Sequence, residues 1–251
     1  MHPIIALWSH PRSMSTAMER IMRERGDLDC YHEPFMYDYY VHRAVRPMPH
    51  FDGEGAHPVA YEDIRAMLLQ AAEAGPVFFK DMSYYVVDRL AEDAGFHRSL
   101  TNGFLIRDPK ASILSYFAKD PEVTLEEIGL EAQARHYAAL VEMGQRPVVI
   151  DSETVRADTG AAMRTFWAAV GLPAAEHALD WQEEVPEDWQ QVEGWHDEVG
   201  TSKGIRPITD DELAQRERDF DALVAREPRA ADYLAHHLPF YETLKAQALT
   251  V

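Results

Sequence analysis

Leu7-Trp8-Ser9-His10-Pro11-Arg12-Ser13-Met14-Ser15-Thr16-Ala17 is the most informative stretch of the 251-residue chain. The apolar run from Pro3 to Trp8 reads as a buried strand, and His10 to Ser13 as a tight polar turn. From Met14 the apolar positions Met14, Ala17/Met18 and Ile21/Met22 recur at helical spacing until Gly26 ends the run. A strand that passes through a polar turn straight into a helix directs free backbone N–H groups at whatever the turn holds. The helix dipole adds partial positive charge there, so the geometry suits a phosphate or sulfate. Arg12 adds a forked cation, and Ser13, Ser15 and Thr16 add hydroxyls. Ser and Thr also cap ordinary helices, but one arginine and three hydroxyls in five residues exceed what a cap needs. The turn lacks the G-x-x-x-x-G-K-[ST] pattern, and no G-x-G-x-x-G follows the strand. Both facts weigh against the usual nucleoside triphosphate and dinucleotide sites.

Outward from this stretch, strand-like and helix-like pieces alternate. Val77-Phe78-Phe79 is a second strand after Gly75-Pro76, with a helix from Ser83 towards Gly95. Phe104-Leu105-Ile106 is a third, followed by a helix after Pro109; a long helix runs from Glu126 to Met143, and Pro147 to Ile150 is a fourth strand. The alternation predicts an α/β fold, a parallel sheet with helices on both faces. Without repeats, low-complexity tracts or a Pro/Gly/Ser-rich linker, residues 1–251 read as a single domain, mostly helical from 159 to 251. Between Glu176 and Gly200 stand nine acidic residues, Trp181, Trp189 and Trp195, and no Lys or Arg. This segment reads as an irregular surface stretch anchored by its tryptophans, or as an active-site lid.

A 46% hydrophobic composition is ample for a core and excludes a disordered chain. No apolar run approaches the ~18 residues of a membrane span, and a signal peptide is absent, so a cytoplasmic protein is expected. The single cysteine, Cys30, excludes an internal disulfide and reads as a buried core thiol. Lys+Arg 24 against Asp+Glu 43 gives a net charge of −19, which argues against nucleic acid or an anionic membrane as partner. A small anion in one local basic pocket remains compatible with it. His32-Glu33 is not H-E-x-x-H, and the other histidines, including His236 and His237, lack ligand spacing, so no metal is expected. Those histidines read as partly exposed helix residues.

At these motifs the chain resembles the sulfotransferase family, whose members use 3′-phosphoadenosine 5′-phosphosulfate (PAPS) and release adenosine 3′,5′-bisphosphate (PAP). Pro11-Arg12-Ser13-Met14-Ser15-Thr16 resembles the family's 5′-phosphosulfate loop, with Met14 at a position that is usually glycine. Ile106-Arg107-Asp108-Pro109, with Ser115 eight positions after Arg107, resembles its 3′-phosphate motif. Ser202-Lys203-Gly204 resembles the loop that closes over that phosphate, although the arginine expected before Lys203 is Ser202. The same residues spell G-x-S-x-G, but the acidic tract before them and Pro207 after them do not fit a nucleophile elbow. The resemblance implies a P-loop kinase-like sulfotransferase fold. It places Arg12, Ser13, Met14, Ser15 and Thr16 on the 5′-phosphosulfate, and Arg107, Ser115, Ser202, Lys203 and Gly204 on the 3′-phosphate.

Sulfonate transfer needs a grip on the sulfonate oxygens, charge neutralisation at the leaving phosphate oxygen, and a base for the acceptor proton. Arg12 and the turn amides suit the first need. Lys80, after strand Val77–Phe79, matches the family's strand-end lysine and suits the second. The family's usual histidine position is Met82, so the base is sought elsewhere. Glu33, on a turn pinned by Pro34, is the leading candidate; His32 and then Asp81 follow it. The expected activity is sulfonate transfer from PAPS to a hydroxyl or amine of a small, non-anionic acceptor, with no basic groove for an acidic polymer. A small-molecule kinase using an adenine nucleotide, and a non-catalytic PAP-binding relative, are the alternatives. Oligomeric state is not read from the sequence.

Overall fold

Alternate residues of the first strand face opposite ways: Ile4, Ala6 and Trp8 join one core cluster, Ile5 and Leu7 the other. A strand buried on both sides belongs in a parallel sheet covered by helices on both faces. The structure is a computed structural model describing residues 1–47, 49, 57–181, 186, 189 and 204–251, and it shows that sheet. Its strands are β1 (Ile4–Ser9), β2 (Asp29–His32), β3 (Val77–Met82), β4 (Thr101–Ile106) and β5 (Val148–Asp151). They lie in the order β2-β3-β1-β4-β5, all pairings parallel, with Ser9 opposite Met82 and His32 opposite Lys80. All five C-terminal ends therefore open at one edge, where ligands of α/β sheets collect. One face carries α1 (Ser15–Glu24), through Met18, Ile21 and Met22, and α8 (Thr159–Ala169), through Met163, Phe166 and Trp167.

The other face is covered by α2 (Tyr61–Ala74), α6 (Leu130–Glu142) and α10 (Arg229–Lys245). The short α3 (Ser83–Val86), α4 (Ala94–Ser99) and α7 (Ser152–Ala157) and the longer α5 (Pro109–Lys119) and α9 (Asp210–Arg226) complete the described helices. No helix among the described residues is long and apolar enough to cross a membrane.

Four strands were legible in the sequence; the fifth, β2, is a four-residue edge strand whose Asp-Cys-Tyr-His sequence has no apolar run. Cys30 on it is half-buried, not a core thiol. The long helix expected from Glu126 is interrupted at Gly129, which takes a φ of 81° between a short 3₁₀ turn and α6. A Cβ at Gly129 would stand 3.0 Å from His10 Cβ and 3.3 Å from Pro11 Cδ, so this glycine lets α6 buttress the turn after β1. Trp181 and Trp189 are buried, whereas Trp195 and most of the acidic segment lie outside the described residues.

The histidines correct the expectation most. His10, His97, His136 and His237 are all buried. His136 packs against Trp8 and Phe104, and neither ring nitrogen has a hydrogen-bond partner among the described residues. Periodicity could not show this, because histidine reads as polar in any pattern. Burial pushes His10 down to about 3, His97 and His237 to about 4, and His136 well below the usual imidazole range. These groups are neutral when folded and protonate more readily when unfolded. Stability is therefore complete above roughly pH 6.5 and is lost as pH falls from there through the folded values, by about 2 kcal/mol at pH 5 for each of His97 and His237. We expect His136→Leu to raise the melting temperature at pH 7, because it removes unpaired buried polar atoms, and to raise it further at pH 5. Thermal unfolding at the two pH values checks this; equal shifts at both would show that His136 does not take part in the acid sensitivity.

Candidate active site

The turn between β1 and α1 is held in an uncommon backbone geometry. Arg12 has a φ of 62° and Met14 a φ of 73°, both left-handed. Met14, where glycine was expected by resemblance, adopts the conformation a glycine would take. It precedes α1 without a side-chain cap, and the first i→i−4 bond runs from Met18 N to Met14 O at 3.1 Å. The N–H groups of the first turn lie ahead of that bond and suit an anion. Ser13 is fully buried there, and its hydroxyl has no partner among the described residues.

β4 and α5 hold this turn from the side. Arg107 Nη1 donates to the Arg12 carbonyl at 2.8 Å, Arg107 N donates to His10 Nε2 at 3.1 Å, and Arg12 Nε donates to Ser115 Oγ at 2.8 Å. The two motifs picked out in the sequence are thus in direct contact. They open into a cavity of about 910 Å³ whose lining includes Arg107, Arg156, Arg206, Arg216 and Arg226 but only two carboxylates, Glu212 and Asp219. Burial pushes Arg107 down to about 10, and the cations of Arg216, Arg156 and Arg12 add to that; burial likewise lowers Arg156. Close, partly desolvated guanidinium groups repel one another, and an anion between them relieves both costs. Glu153, at the start of α7, is the nearby counterion, 3.2 Å from Arg216 Nη1 and 4.0 Å from Arg107 Nε. Gly204 lines the same cavity, while Ser202 and Lys203 lie outside the described residues.

The second group lies at the ends of β2 and β3. Glu33 has a φ of 43°, and its N–H donates to the Lys80 carbonyl at 2.9 Å, which extends the β2–β3 ladder by one residue. Its carboxylate pairs with the buried Lys80 ammonium, and Tyr85 Oη donates to Glu33 Oε2 at 3.4 Å. Asp81 plays a different part. It is wholly buried, and its two oxygens accept from Phe35 N at 2.7 Å and Met82 N at 2.9 Å. Burial and the neighbouring Glu33 carboxylate push Asp81 well above the usual carboxylate range. Asp81 thereby clamps the turn that presents Glu33. Ser9, opposite Met82 in the sheet, joins the two groups through a 3.1 Å bond from its hydroxyl to the Asp81 carbonyl.

Reading the sequence did not single out Arg156, Arg216, Arg226, Glu153 or Glu19. None stands in a short motif; α9 packs against α5 and α7 against β5, and that packing brings these arginines beside Arg107. Among the described residues no His, Cys, Asp and Glu cluster is suited to a metal.

A left-handed φ costs a residue with a side chain about 1–2 kcal/mol. Met14→Gly removes that strain at the expense of roughly 0.5–1 kcal/mol of unfolded-state entropy. It is expected to leave stability unchanged or slightly raised, whereas β-branched Met14→Val should lose more than about 1 kcal/mol. Urea unfolding separates them; equal stability would show that the positive φ is not what this position demands.

Against known proteins, the family described as "Sulfotransferase domain" matches residues 2–248. Branched-chain-amino-acid aminotransferase-like protein 2 of Arabidopsis thaliana is 25% identical over 204 residues, covering 80% of this chain but only 36% of the relative. The chain thus spans little more than a third of the length of the curated relatives it matches. Among solved structures, a sulfotransferase from Alicyclobacillus acidocaldarius is 14% identical with a TM-score of 0.49, covering 90% of this chain and 94% of that one. Mouse sulfotransferase SULT7A1 complexed with PAP is 12% identical with a TM-score of 0.47, covering 95% and 89%. A family match over residues 2–248, on a five-stranded parallel sheet, places this chain in the sulfotransferase family.

Proposed function

We propose that this protein transfers a sulfonate group from PAPS to a hydroxyl or amine of a small, non-anionic acceptor. The observation that carries the reading is the arginine-lined cleft beside the first turn of α1, with the Glu33–Lys80 pair on the same sheet edge. The unpartnered Ser13 hydroxyl and the mutually repelling arginines fit a ligand with two anionic groups. In this reading the backbone from Ser13 to Thr16, with the Ser13, Ser15 and Thr16 hydroxyls, binds the 5′-phosphosulfate, and Arg12 grips its sulfonate. Arg107 and Ser115 bind the 3′-phosphate, with Ser202, Lys203 and Gly204 closing over it. PAPS supplies an activated sulfonate with a phosphate leaving group; Lys80 stabilises the charge on that phosphate oxygen, and Glu33 takes the proton of the acceptor.

The acceptor class rests on charge. The chain carries a net charge of −19, and arginines are gathered at the proposed donor cleft. A polyanionic acceptor would meet repulsion elsewhere, whereas neutral or cationic alcohols and amines would not.

A charge-assisted contact contributes roughly 1.5–3 kcal/mol. PAP should therefore bind much more tightly than AMP, and Arg107→Ala should weaken PAP by about one to two decades more than it weakens AMP, whose smaller loss reports the released Arg12 carbonyl alone. Calorimetry on the four combinations checks this, and equal affinities for PAP and AMP would overturn the donor assignment. Separately, Glu33→Gln should lower turnover by roughly 10²–10⁴ with PAP affinity retained. PAP release from PAPS, screened against neutral and cationic alcohols and amines, measures it. Turnover confined to sulfated or carboxylated polysaccharides would refute the acceptor class.

A further inference from the structure

Glu153, the second residue of α7, stands where two of the cleft arginines converge. Its Oε1 accepts from Arg216 Nη1 at 3.2 Å and lies 4.0 Å from Arg107 Nε. The second distance is beyond a hydrogen bond. Arg107 Nε is accordingly buried without a hydrogen-bond partner among the described residues, and so is Glu153 Oε2. Most residues of α9 are exposed, yet Arg216 keeps only 10% of its side chain exposed and turns it into the cleft. One carboxylate thus faces two guanidinium groups with a single hydrogen bond between them, and Arg156 adds a third cation to the same wall. Burial pushes Arg107 down to about 10, and Glu153 offsets that only in part. A buried N–H without an acceptor is costly and uncommon. The arrangement is one anion short.

A phosphate dianion meets that shortage better than a carboxylate does. It carries more charge, and its several oxygens can accept from Arg107 Nε and Arg216 Nη1 together. We propose that Arg216 binds the 3′-phosphate of the donor together with Arg107, and that Glu153 is the resting counterion which this phosphate displaces from the pair. This rests on the reading of Arg107 as a 3′-phosphate contact. Glu153 keeps 24% of its side chain exposed, so its carboxylate can turn outward to water as the phosphate enters. Arg107 is already committed through Nη1 to the Arg12 carbonyl, which leaves its Nε edge for the phosphate. Filling that edge fixes the same guanidinium that holds the turn after β1. A nucleotide without a 3′-phosphate brings nothing to displace Glu153, so the pair selects for the bisphosphate.

Glu153→Gln and Arg216→Gln test the two halves with opposite signs. Arg226→Ala is the comparator, because Arg226 lines the same cleft without an ion pair to Glu153. Calorimetry with PAP and with AMP, and thermal unfolding without ligand, are the measurements. Arg216→Gln should weaken PAP by about 10–100-fold and AMP by less than about threefold. Glu153→Gln should tighten PAP by about 3–30-fold, since the amide no longer repels the phosphate. It should also lower the melting temperature of the ligand-free protein, whose guanidinium groups then repel one another without a counterion, and saturating PAP should restore it. A general loss of fold cannot tighten PAP, so it cannot imitate both variants. A lower melting temperature in Glu153→Gln with PAP no tighter makes Glu153 a structural partner only and overturns the proposal. An equal loss of PAP affinity in Arg226→Ala also overturns it, because the cleft would then act through its total charge. The level of any failure is distinguishable. If the wild type prefers PAP to AMP and Arg216→Gln keeps that preference, the role of Arg216 alone fails; if the wild type binds the two equally, the donor reading fails and this proposal with it.

Discussion

The bond from Arg107 to the carbonyl of Arg12 is the contact on which the site depends. A turn with two non-glycine residues in left-handed conformations carries strain of the order of 1–3 kcal/mol per residue, and it persists only where the surroundings over-determine it. Here they do. The carbonyl is held by one guanidinium, the Arg12 side chain by Ser115, His10 by the Arg107 amide, and the flank by Gly129. Each restraint comes from β4, α5 or the start of α6, so the loop after β1 takes its shape only once the middle of the chain has packed.

The same packing concentrates positive charge on a strongly acidic protein. The cleft gathers five arginines from the end of β4, α7 and the chain around α9, and burial raises the cost of keeping Arg107 and Arg156 charged. Glu153 offsets part of that cost without reaching Arg107 at hydrogen-bond distance. In the proposed reading the cleft takes a multiply charged anion, and the acidic remainder of the surface repels anions that would bind elsewhere.

At the other end of the edge, negative charge is handled by division of labour. Asp81, Glu33 and Glu19 sit on or beside adjacent elements, yet they meet different partners. Asp81 faces backbone N–H groups, Glu33 faces Lys80, and Glu19 faces Arg23 and His32. Three buried carboxylates so close together persist because each has its own donors.

Much of this was legible in the sequence for a local reason. The alternation of apolar runs with helical periods revealed four strands and the parallel sheet, and the polar turn before a helix was legible as a strand-turn-helix passage, because these patterns depend on neighbouring residues alone. Arg12, Arg107, Ser115, Lys80 and Glu33 were legible through short motifs, and the sheet brings them to one edge. β2 stayed hidden because an edge strand of four half-polar residues has no periodicity to read, and the buried histidines because a polar letter does not report its burial. The Arg156–Arg216 side of the cleft and the Glu19–His32 contact were decided by tertiary structure. Both join residues on separate elements whose meeting depends on how helices pack across the sheet, and no spacing along the chain encodes that distance.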